Sequence, residues 1–365
     1  MVDLAAVRAA IGKVEDPEIH RTLEEINMLR EVDVADDGSV TVLVALTIPG
    51  CPLKDKLTAD VAAAAKSVAG VTGVVVNFTS MTDEERSALV ADIRGGEQRE
   101  IAVARPGTKT RIIAISSGKG GVGNSSVTTN LAIALAQMDR TVGVIDADVW
   151  GFSIPRMLGI DRPPTVVDET LFPPEAHGVK AMSMDFFVGD EQAVIWRGPM
   201  LHKALEQFLA DVHWGDPDYL LIDMPPGTGD VSISISQFLP MAQALIVTTP
   251  QVTAQRVAKR AGLMARKVNQ TILGVVENMS WFTGDDGKRY PIFGEGGGEV
   301  LAQELEVPLL GRIPLVAELR SGADRGHPIA VAAPQGEAAA AFAAIAQEVE
   351  DRKPRLRSHP QLVIN

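Results

Sequence analysis

The feature that most constrains the fold is a series of short, almost continuously apolar segments separated by segments of helical spacing. The apolar segments lie at 111–116, 141–146, 218–225, 243–250 and 271–278. Strands of this kind are typical of a parallel sheet that is covered by helices on both faces. The carboxyl ends of such strands meet at one edge of the sheet, where α/β proteins bind their ligands. The sequence therefore predicts an α/β domain with a functional site at that edge.

A smaller domain precedes this one. Residues 39–48 are rich in β-branched side chains, residues 54–70 have helical spacing and a terminal glycine, and residues 71–80 predict a further strand. Polar residues, glycine and proline interrupt the pattern after this domain. We therefore predict a small α+β domain over 1–94, a linker over 95–109, a main α/β domain over 110–350 and a basic, disordered tail over 351–365.

Composition argues against several classes of protein. The 365 residues contain no apolar run long enough to span a bilayer, and the first residues lack the features of a secretory signal, so we expect a cytoplasmic protein without membrane attachment. The formal net charge of -13 opposes binding to nucleic acid. The single cysteine, Cys51, rules out a disulfide or a four-cysteine metal site within one chain.

A glycine-rich loop, within "ISSGKGGVGNSSVTTNLA" at 115–132, follows the first strand of the main domain. Glycine lets a ligand approach the backbone closely, and the N–H groups at the start of the next helix favour an anion. The pattern matches a phosphate-binding loop at Gly118, Gly123 and Ser125, but Asn124 occupies the position of its lysine. A tight strand-to-helix turn without a ligand is the alternative that the loop alone leaves open.

Carboxylates at the ends of two other strands favour the phosphate-binding interpretation. Asp146 and Asp148 follow one strand, and Asp223 ends another before a Pro/Gly-rich loop. Such carboxylates hold Mg²⁺ or orient an attacking water. Each carboxylate could instead cap a helix, but chance is a poor explanation for the glycine-rich loop and the two carboxylate segments together at one sheet edge.

The sequence is identified as a member of the Mrp/NBP35 type of P-loop ATPases, the iron-sulfur cluster carrier proteins of the MinD/ParA class. The resemblance covers essentially the whole chain, and residues 1–94 resemble the MIP18-type domain through "DPEI" and "TIPGCPLKDKL". It implies a deviant P-loop NTPase fold with a parallel sheet flanked by helices. The stretches that carry it in the main domain are "SGKGGVGNSS", "DADVWGFSIPRMLG", "VIWRGPMLHKALEQFL", "DYLLIDMPPGTGD", "VTTPQ", "GVVENMS" and "IFGEGGGE".

The resemblance implies roles for single residues in ATP binding and hydrolysis. Lys119 matches a signature lysine that reaches the partner's nucleotide across a homodimer, and Asp148 matches the residue that positions the attacking water. Asn278 matches the residue that reads adenine. The implied ATP-binding residues are Gly118, Lys119, Gly120, Gly121, Val122, Gly123, Asn124, Ser125, Ser126 and Asn278.

The resemblance also implies an Mg²⁺ site formed by Ser125 and Asp223. For Asp146 and Arg197 it implies family membership without a defined role, and we expect packing or hydrogen bonding there.

The chain departs from the family pattern at two places. Asn124 lacks the positive charge of the P-loop lysine, which predicts ATP binding with weak hydrolysis. Many family members carry a Cys-x-x-Cys pair after the segment "ENMSWF", whereas this chain reads "TGDDGKRYPIFG" at 283–294, with a hairpin tip predicted at Asp286-Gly287. The usual thiolate bridge is therefore absent.

Cys51 is the remaining thiol. It lies just before a predicted helix, a position where N-terminal N–H groups can lower the pKa of a thiol, and it matches the MIP18-type motif. We favour it as an iron-sulfur ligand over the alternative of a small buried hydrophobe. The predicted function is an ATP- and Mg²⁺-dependent carrier that passes iron-sulfur clusters from assembly proteins to apoproteins. A nucleotide-gated scaffold that neither holds a cluster nor hydrolyses ATP efficiently is the alternative. A ParA/MinD-like positioning ATPase is disfavoured by the acidic charge and by the lack of a convincing terminal amphipathic helix.

Overall fold

The computed structural model describes residues 2–47, 53–94, 101–105, 107–187, 198–227 and 229–353. The strands are, in chain order, β1 (Leu29–Val34), β2 (Ser39–Leu46), β3 (Gly73–Ser80), β4 (Arg111–Ser117), β5 (Val142–Asp146), β6 (Thr165–Val167), β7 (Thr170–Phe172), β8 (Glu175–Ala176), β9 (Val179–Ser183), β10 (Tyr219–Asp223), β11 (Gln243–Thr248), β12 (Ile272–Glu277), β13 (Phe282–Thr283), β14 (Arg289–Tyr290) and β15 (Leu309–Arg312). The α-helices are α1 (Leu4–Gly12), α2 (Lys54–Lys66), α3 (Asp83–Arg94), α4 (Asn124–Ala136), α5 (Ile154–Leu158), α6 (Gly198–Ala210), α7 (Asp230–Phe238), α8 (Val252–Lys267), α9 (Gly297–Glu304), α10 (Ala317–Asp324), α11 (Ile329–Ala332) and α12 (Glu337–Asp351).

The chain divides into two compact units. The first comprises Met1–Glu100, Pro164–Pro173 and Asp211–His213. The second comprises Ile101–Pro163, Pro174–Ala210 and Trp214–Asn365.

The first unit contains a three-stranded sheet in the order β1-β2-β3, in which β1 is antiparallel and β3 parallel to the central β2. Alternate residues of β2, Val40, Val42 and Val44, are fully buried because successive side chains of a strand point to opposite faces. Helix α1 begins after Asp3, whose carboxylate accepts the Ala5 N–H at 2.9 Å and caps the helix. The predicted small α+β architecture is present in this unit.

A hairpin from the middle of the sequence completes the core of the first unit. Strands β6 and β7 pair antiparallel, and Val167 and Phe172, each 2% exposed, join its hydrophobic core. The Thr165 hydroxyl donates to the buried Glu18 carboxylate at 2.7 Å. The sequence-based prediction assigned residues 164–173 to the main domain, because a linear pattern does not reveal which core a hairpin joins.

The second unit contains an eight-stranded sheet in the order β15-β12-β11-β4-β10-β5-β9-β8. All strands from β15 to β9 run parallel, and the short edge strand β8 runs antiparallel to β9. Strands β5, β10 and β12 are buried along their whole length, which explains their continuous apolar sequences. The predicted parallel α/β fold is confirmed, and each of the five predicted strands is found within two residues of its expected ends.

Strand register aligns the residues that the sequence placed at one sheet edge. Asp223 at the end of β10 is opposite Ile115 of β4 on one side and Asp146 of β5 on the other. The loop that follows β4 therefore lies beside two carboxylates.

Among the described helices, none combines the length and apolar character needed to cross a bilayer.

Candidate functional site

The glycine-rich loop connects β4 to α4 and is fixed by close backbone packing. Gly118 lies against α8, since a Cβ at this position would be 2.2 Å from the carbonyl carbon of Val257. Gly123 has φ +84° and lies against Asn278, whose Nδ2 would be 2.2 Å from an added Cβ. An added Cβ would meet nothing within 4 Å at Gly120 or Gly121. Two glycines thus serve packing, and two border open space.

Asn124 begins α4, and three oxygen atoms surround its amide nitrogen. Its Nδ2 lies 2.7 Å from Asp223 Oδ1, 2.9 Å from the Ile115 carbonyl oxygen and 3.1 Å from the Met224 carbonyl oxygen. Because all three neighbours are acceptors, the amide nitrogen must face them. The buried Asn124 Oδ1 then points the other way and has no hydrogen-bond partner among the described residues.

Asp223 is the centre of this network. Its side chain is 1% exposed and accepts hydrogen bonds from the hydroxyls of Ser125 and Thr128, each at 2.7 Å, in addition to the Asn124 amide. Burial raises the pKa of Asp223, and the nearby Asp146 carboxylate raises it further, while the two hydroxyls lower it. A hydroxyl and a carboxylate are hard oxygen donors, so Ser125 and Asp223 fit an Mg²⁺ site.

Thr128 is a site residue that the sequence-based prediction missed. It lies three residues after Ser125 and four after Asn124, so one face of α4 carries all three side chains toward Asp223. Helical spacing from the predicted Mg²⁺ hydroxyl was the signal that could have identified it.

Asp146 organises the loop that contains Asp148. Its carboxylate accepts the backbone N–H groups of Ser153 at 2.9 Å and Ile154 at 3.1 Å, where α5 begins, and that of Asp148 at 3.2 Å. The Ser183 hydroxyl, at the end of β9, donates to the same carboxylate at 3.2 Å. Burial raises the pKa of Asp146, and this effect exceeds the opposite effect of the four hydrogen-bond donors. The hydrogen-bonding role expected for Asp146 is therefore present in the structure.

Asp148 itself is half-buried, and its Oδ1 accepts the backbone N–H of Trp150 at 3.4 Å. The Trp150 side chain is 70% exposed. Lys119 is also half-buried, and no carboxylate of the described residues lies within ion-pair distance of its ammonium. Both side chains thus remain accessible at this edge of the second unit.

Asn278 contacts the glycine-rich loop rather than standing apart from it. Its Nδ2 donates to the Val122 carbonyl oxygen at 2.9 Å, and its Oδ1 accepts the Met279 N–H at 3.0 Å. Asn278 is 1% exposed, and these two bonds leave one amide hydrogen and one carbonyl lone pair unused. The adenine-reading role of Asn278 stays a prediction.

Ser126 lies in the first turn of α4, half-buried, and its carbonyl oxygen accepts from Asn130.

Residues 282–290 form the hairpin that the sequence predicts. Strands β13 and β14 pair antiparallel, and Gly287 at the tip has φ +73°. The Glu337 carboxylate on α12 accepts from Trp281 Nε1 at 2.9 Å, Thr283 Oγ1 at 2.7 Å and Arg289 Nη2 at 2.9 Å. A braced polar hairpin therefore occupies this position.

Cys51 and Arg197 lie outside the described residues. Within the described part of the chain, no group of three or more His, Cys, Asp or Glu side chains could hold a metal ion.

Comparison with known proteins agrees with the geometry. Residues 108–350 match the family model of the NUBPL iron-transfer P-loop NTPase, and residues 4–77 match that of the iron-sulfur cluster assembly protein. The "Iron-sulfur cluster carrier protein" of Mycobacterium bovis is 47% identical over 356 residues, covering 96% of this chain and 93% of the relative.

Two solved structures have a fold similar to part of this chain. A nucleotide-binding protein from Archaeoglobus fulgidus in complex with ADP has a TM-score of 0.55 and 34% identity, covering 72% of this chain and 97% of that one. The cell division ATPase MinD of Pyrococcus furiosus has a TM-score of 0.51 and 27% identity, covering 66% and 98% respectively. Because the family model covers residues 108–350 and the mycobacterial relative matches nearly the whole chain, the chain belongs to the family of iron-sulfur cluster carrier proteins, with a P-loop NTPase domain of the iron-transfer type.

Proposed function

We propose that this protein is a cytoplasmic, ATP-binding carrier that accepts iron-sulfur clusters from assembly proteins and transfers them to apoproteins. The observation that carries the proposal is the meeting of the glycine-rich loop with Ser125 and Asp223 at one sheet edge, in a chain whose relatives are iron-sulfur cluster carriers. The iron-sulfur cluster is the group that the protein carries, and ATP is the ligand that regulates its uptake and release.

The loop fits the phosphates of ATP. Gly120 and Gly121 border open space, and the first N–H groups of α4 have no acceptor in the preceding turn. Ser125 and Asp223 would hold Mg²⁺, which when bound supplies positive charge beside the phosphate oxygens. Asn278, already hydrogen-bonded to the loop, has one amide hydrogen and one lone pair left for adenine.

Hydrolysis should be weak, because Asn124 adds no positive charge to the loop. Its amide nitrogen is engaged by Asp223 and two backbone carbonyls, so it stabilises the loop. Lys119 has no carboxylate partner among the described residues, and we propose that it contacts the nucleotide of a partner subunit in a homodimer. Asp148 would position the attacking water from the loop that Asp146 holds.

Cys51 is the proposed thiolate ligand of the cluster. A homodimer would bring two such thiols, fewer than the four ligands that iron-sulfur clusters usually have. The other ligands would be external thiols, histidine or carboxylate groups, or groups of the receiving protein. Binding of the cluster should therefore be labile.

Anaerobic reconstitution tests this function. The purified protein is incubated with iron, sulfide and glutathione, and bound iron, bound sulfide and ATP binding are measured separately. We expect the wild type to take up a cluster and Cys51→Ala to lose this uptake. The ATP affinity of Cys51→Ala should equal that of the wild type. Failure of the wild type to take up iron and sulfide would exclude the direct-carrier function.

A nucleotide-gated scaffold is the second candidate. The observation that favours it is that the full sequence contains one cysteine and no Cys-x-x-Cys pair. A scaffold would bind ATP, and its Cys51→Ala variant would support cluster transfer between two other proteins as well as the wild type does.

A further inference from the structure

The exposed face of α8 carries apolar and basic side chains that do not take part in packing this helix against the rest of the second unit. Its exposed side chains at spacings of four, four, three and four residues are Val252, Arg256, Arg260, Leu263 and Lys267. We call this set the α8 basic stripe. Such spacing keeps all five on one side of the helix.

The buried side of α8 consists mainly of small residues. Ala254, Ala258, Ala261 and Ala265 are buried, and an added Cβ at Gly262 would be 2.6 Å from Cδ1 of Leu305, the residue that follows α9. The larger apolar side chains Val252 and Leu263 are instead 60% and 48% exposed. The apolar pattern of an amphipathic surface helix is therefore partly reversed.

The charge on α8 is also distinctive. The helix contains five basic residues and no acidic one, in a chain with a formal net charge of -13. Lys259 pairs with Glu304 at 3.3 Å, and the Arg266 guanidinium donates to the Leu305 carbonyl oxygen. Within the described residues, Arg256, Arg260 and Lys267 have no ion pair.

The helix dipole accounts for only part of this charge. Basic residues in the last turn, Arg266 and Lys267, are stabilised by the carboxyl end of the helix dipole. Arg256 and Arg260 lie in the middle of the helix, where the dipole has little effect. Their unpaired charges are therefore left for an acidic ligand.

We propose that the α8 basic stripe is a docking surface for an acidic, amphipathic helix of a partner protein. Val252 and Leu263 are eleven residues apart, about 16 Å along the helix, and would contact two apolar side chains of the partner. Arg256, Arg260 and Lys267 would pair with carboxylates along the same partner face. A phosphate backbone would leave both apolar side chains, Val252 and Leu263, without apolar contacts.

A direct binding measurement tests the proposal on the full-length protein. The probe is a fluorescent helical peptide of about 16 residues, with two leucines about eleven residues apart and glutamates between them on the same face. A second peptide has the same composition in shuffled order. A DNA duplex and vesicles of anionic lipid are the comparison ligands, and anisotropy or co-sedimentation reports binding at low and high salt.

We expect the ordered peptide to bind at least about tenfold more tightly than the shuffled one. Arg256→Glu/Arg260→Glu should weaken its binding by about tenfold or more, and Val252→Ser/Leu263→Ser should weaken it without changing the net charge. The control Arg320→Glu/Arg325→Glu reverses two exposed charges on and just after α10 and should change binding by less than about twofold.

Three results would overturn the proposal. These are equal binding of the two peptides, equal loss of binding in the α8 and α10 double variants, and tighter binding to DNA or vesicles than to the ordered peptide. Because all substituted side chains are exposed, an unchanged thermal unfolding midpoint can verify that each variant is folded.

Discussion

Asn124 Nδ2 lies 2.7 Å from Asp223 Oδ1, so the residue in the position of the P-loop lysine is hydrogen-bonded to the carboxylate that ends β10. Two backbone carbonyls accept from the same amide nitrogen. A lysine here would add a positive charge next to a buried carboxylate, whereas Asn124 leaves that carboxylate with neutral donors only. The residue at position 124 therefore decides whether Asp223 has a cationic neighbour at this position of the loop.

Asn124→Lys should increase ATP hydrolysis by about 100-fold or more, since a preorganised donor to a developing charge contributes about that much to rate. Phosphate release under saturating ATP and Mg²⁺ measures the effect. The matched control Asn124→Ala removes the amide without adding charge and should not increase the rate. Equal rates for the wild type and Asn124→Lys would show that the missing lysine does not limit turnover.

Asp148→Asn should suppress hydrolysis and leave ATP affinity within about threefold of the wild type, because the side chain is proposed to orient water rather than bind phosphate. Binding of a fluorescent ATP analogue and phosphate release separate the two effects. Loss of ATP binding would instead assign Asp148 to the organisation of the site.

Lys119→Ala should weaken ATP-dependent dimers while the monomer keeps its fold. Light scattering with and without ATP measures the dimer, and Asp148→Asn serves as a variant that retains it. An unchanged dimer in Lys119→Ala would contradict the proposed contact with the partner's nucleotide.

Thr128→Val should reduce Mg²⁺·ATP affinity by about tenfold, because it removes a hydroxyl that donates to Asp223 at 2.7 Å, and bonds to charged groups contribute about 1.5–3 kcal/mol. Thr129→Val is the matched control. Thr129 is equally buried, but within the described part of the chain its hydroxyl has one hydrogen-bond partner, the Met157 sulfur at 3.7 Å. Calorimetric titration of both variants checks the prediction, and equal affinities would show that Thr128 does not position Asp223.

The stability of the nucleotide-free protein should depend on the ionisation of Asp223. Burial raises its folded-state pKa to about 7, so the folded state holds this proton at pH values where the unfolded chain has released it. The contribution of Asp223 to stability is therefore complete below about pH 4 and declines as the pH rises toward about 7. The free energy of unfolding of Asp223→Asn, relative to the wild type, should increase across this range in urea titrations. A difference that is independent of pH would contradict the raised pKa.

The sequence alone determined the parallel α/β fold, the position of the glycine-rich loop and the strand ends that carry Asp146 and Asp223. These features follow from local patterns, since continuous apolar strands and glycine spacing are properties of neighbouring residues. The polar hairpin at Asp286-Gly287 was predictable for the same reason.

Other features were decided by tertiary structure. Thr128, Asn124 and Asp223 meet only when α4 packs beside β10, and the engagement of the Asn278 amide by Val122 depends on the contact between two loops far apart in the chain. The hairpin containing Phe172 joins the core of the first unit although its sequence lies between segments of the second. Contacts between residues far apart in the sequence form because both are buried together in the folded chain. The local periodicity of a sequence does not indicate which distant residues a side chain will contact.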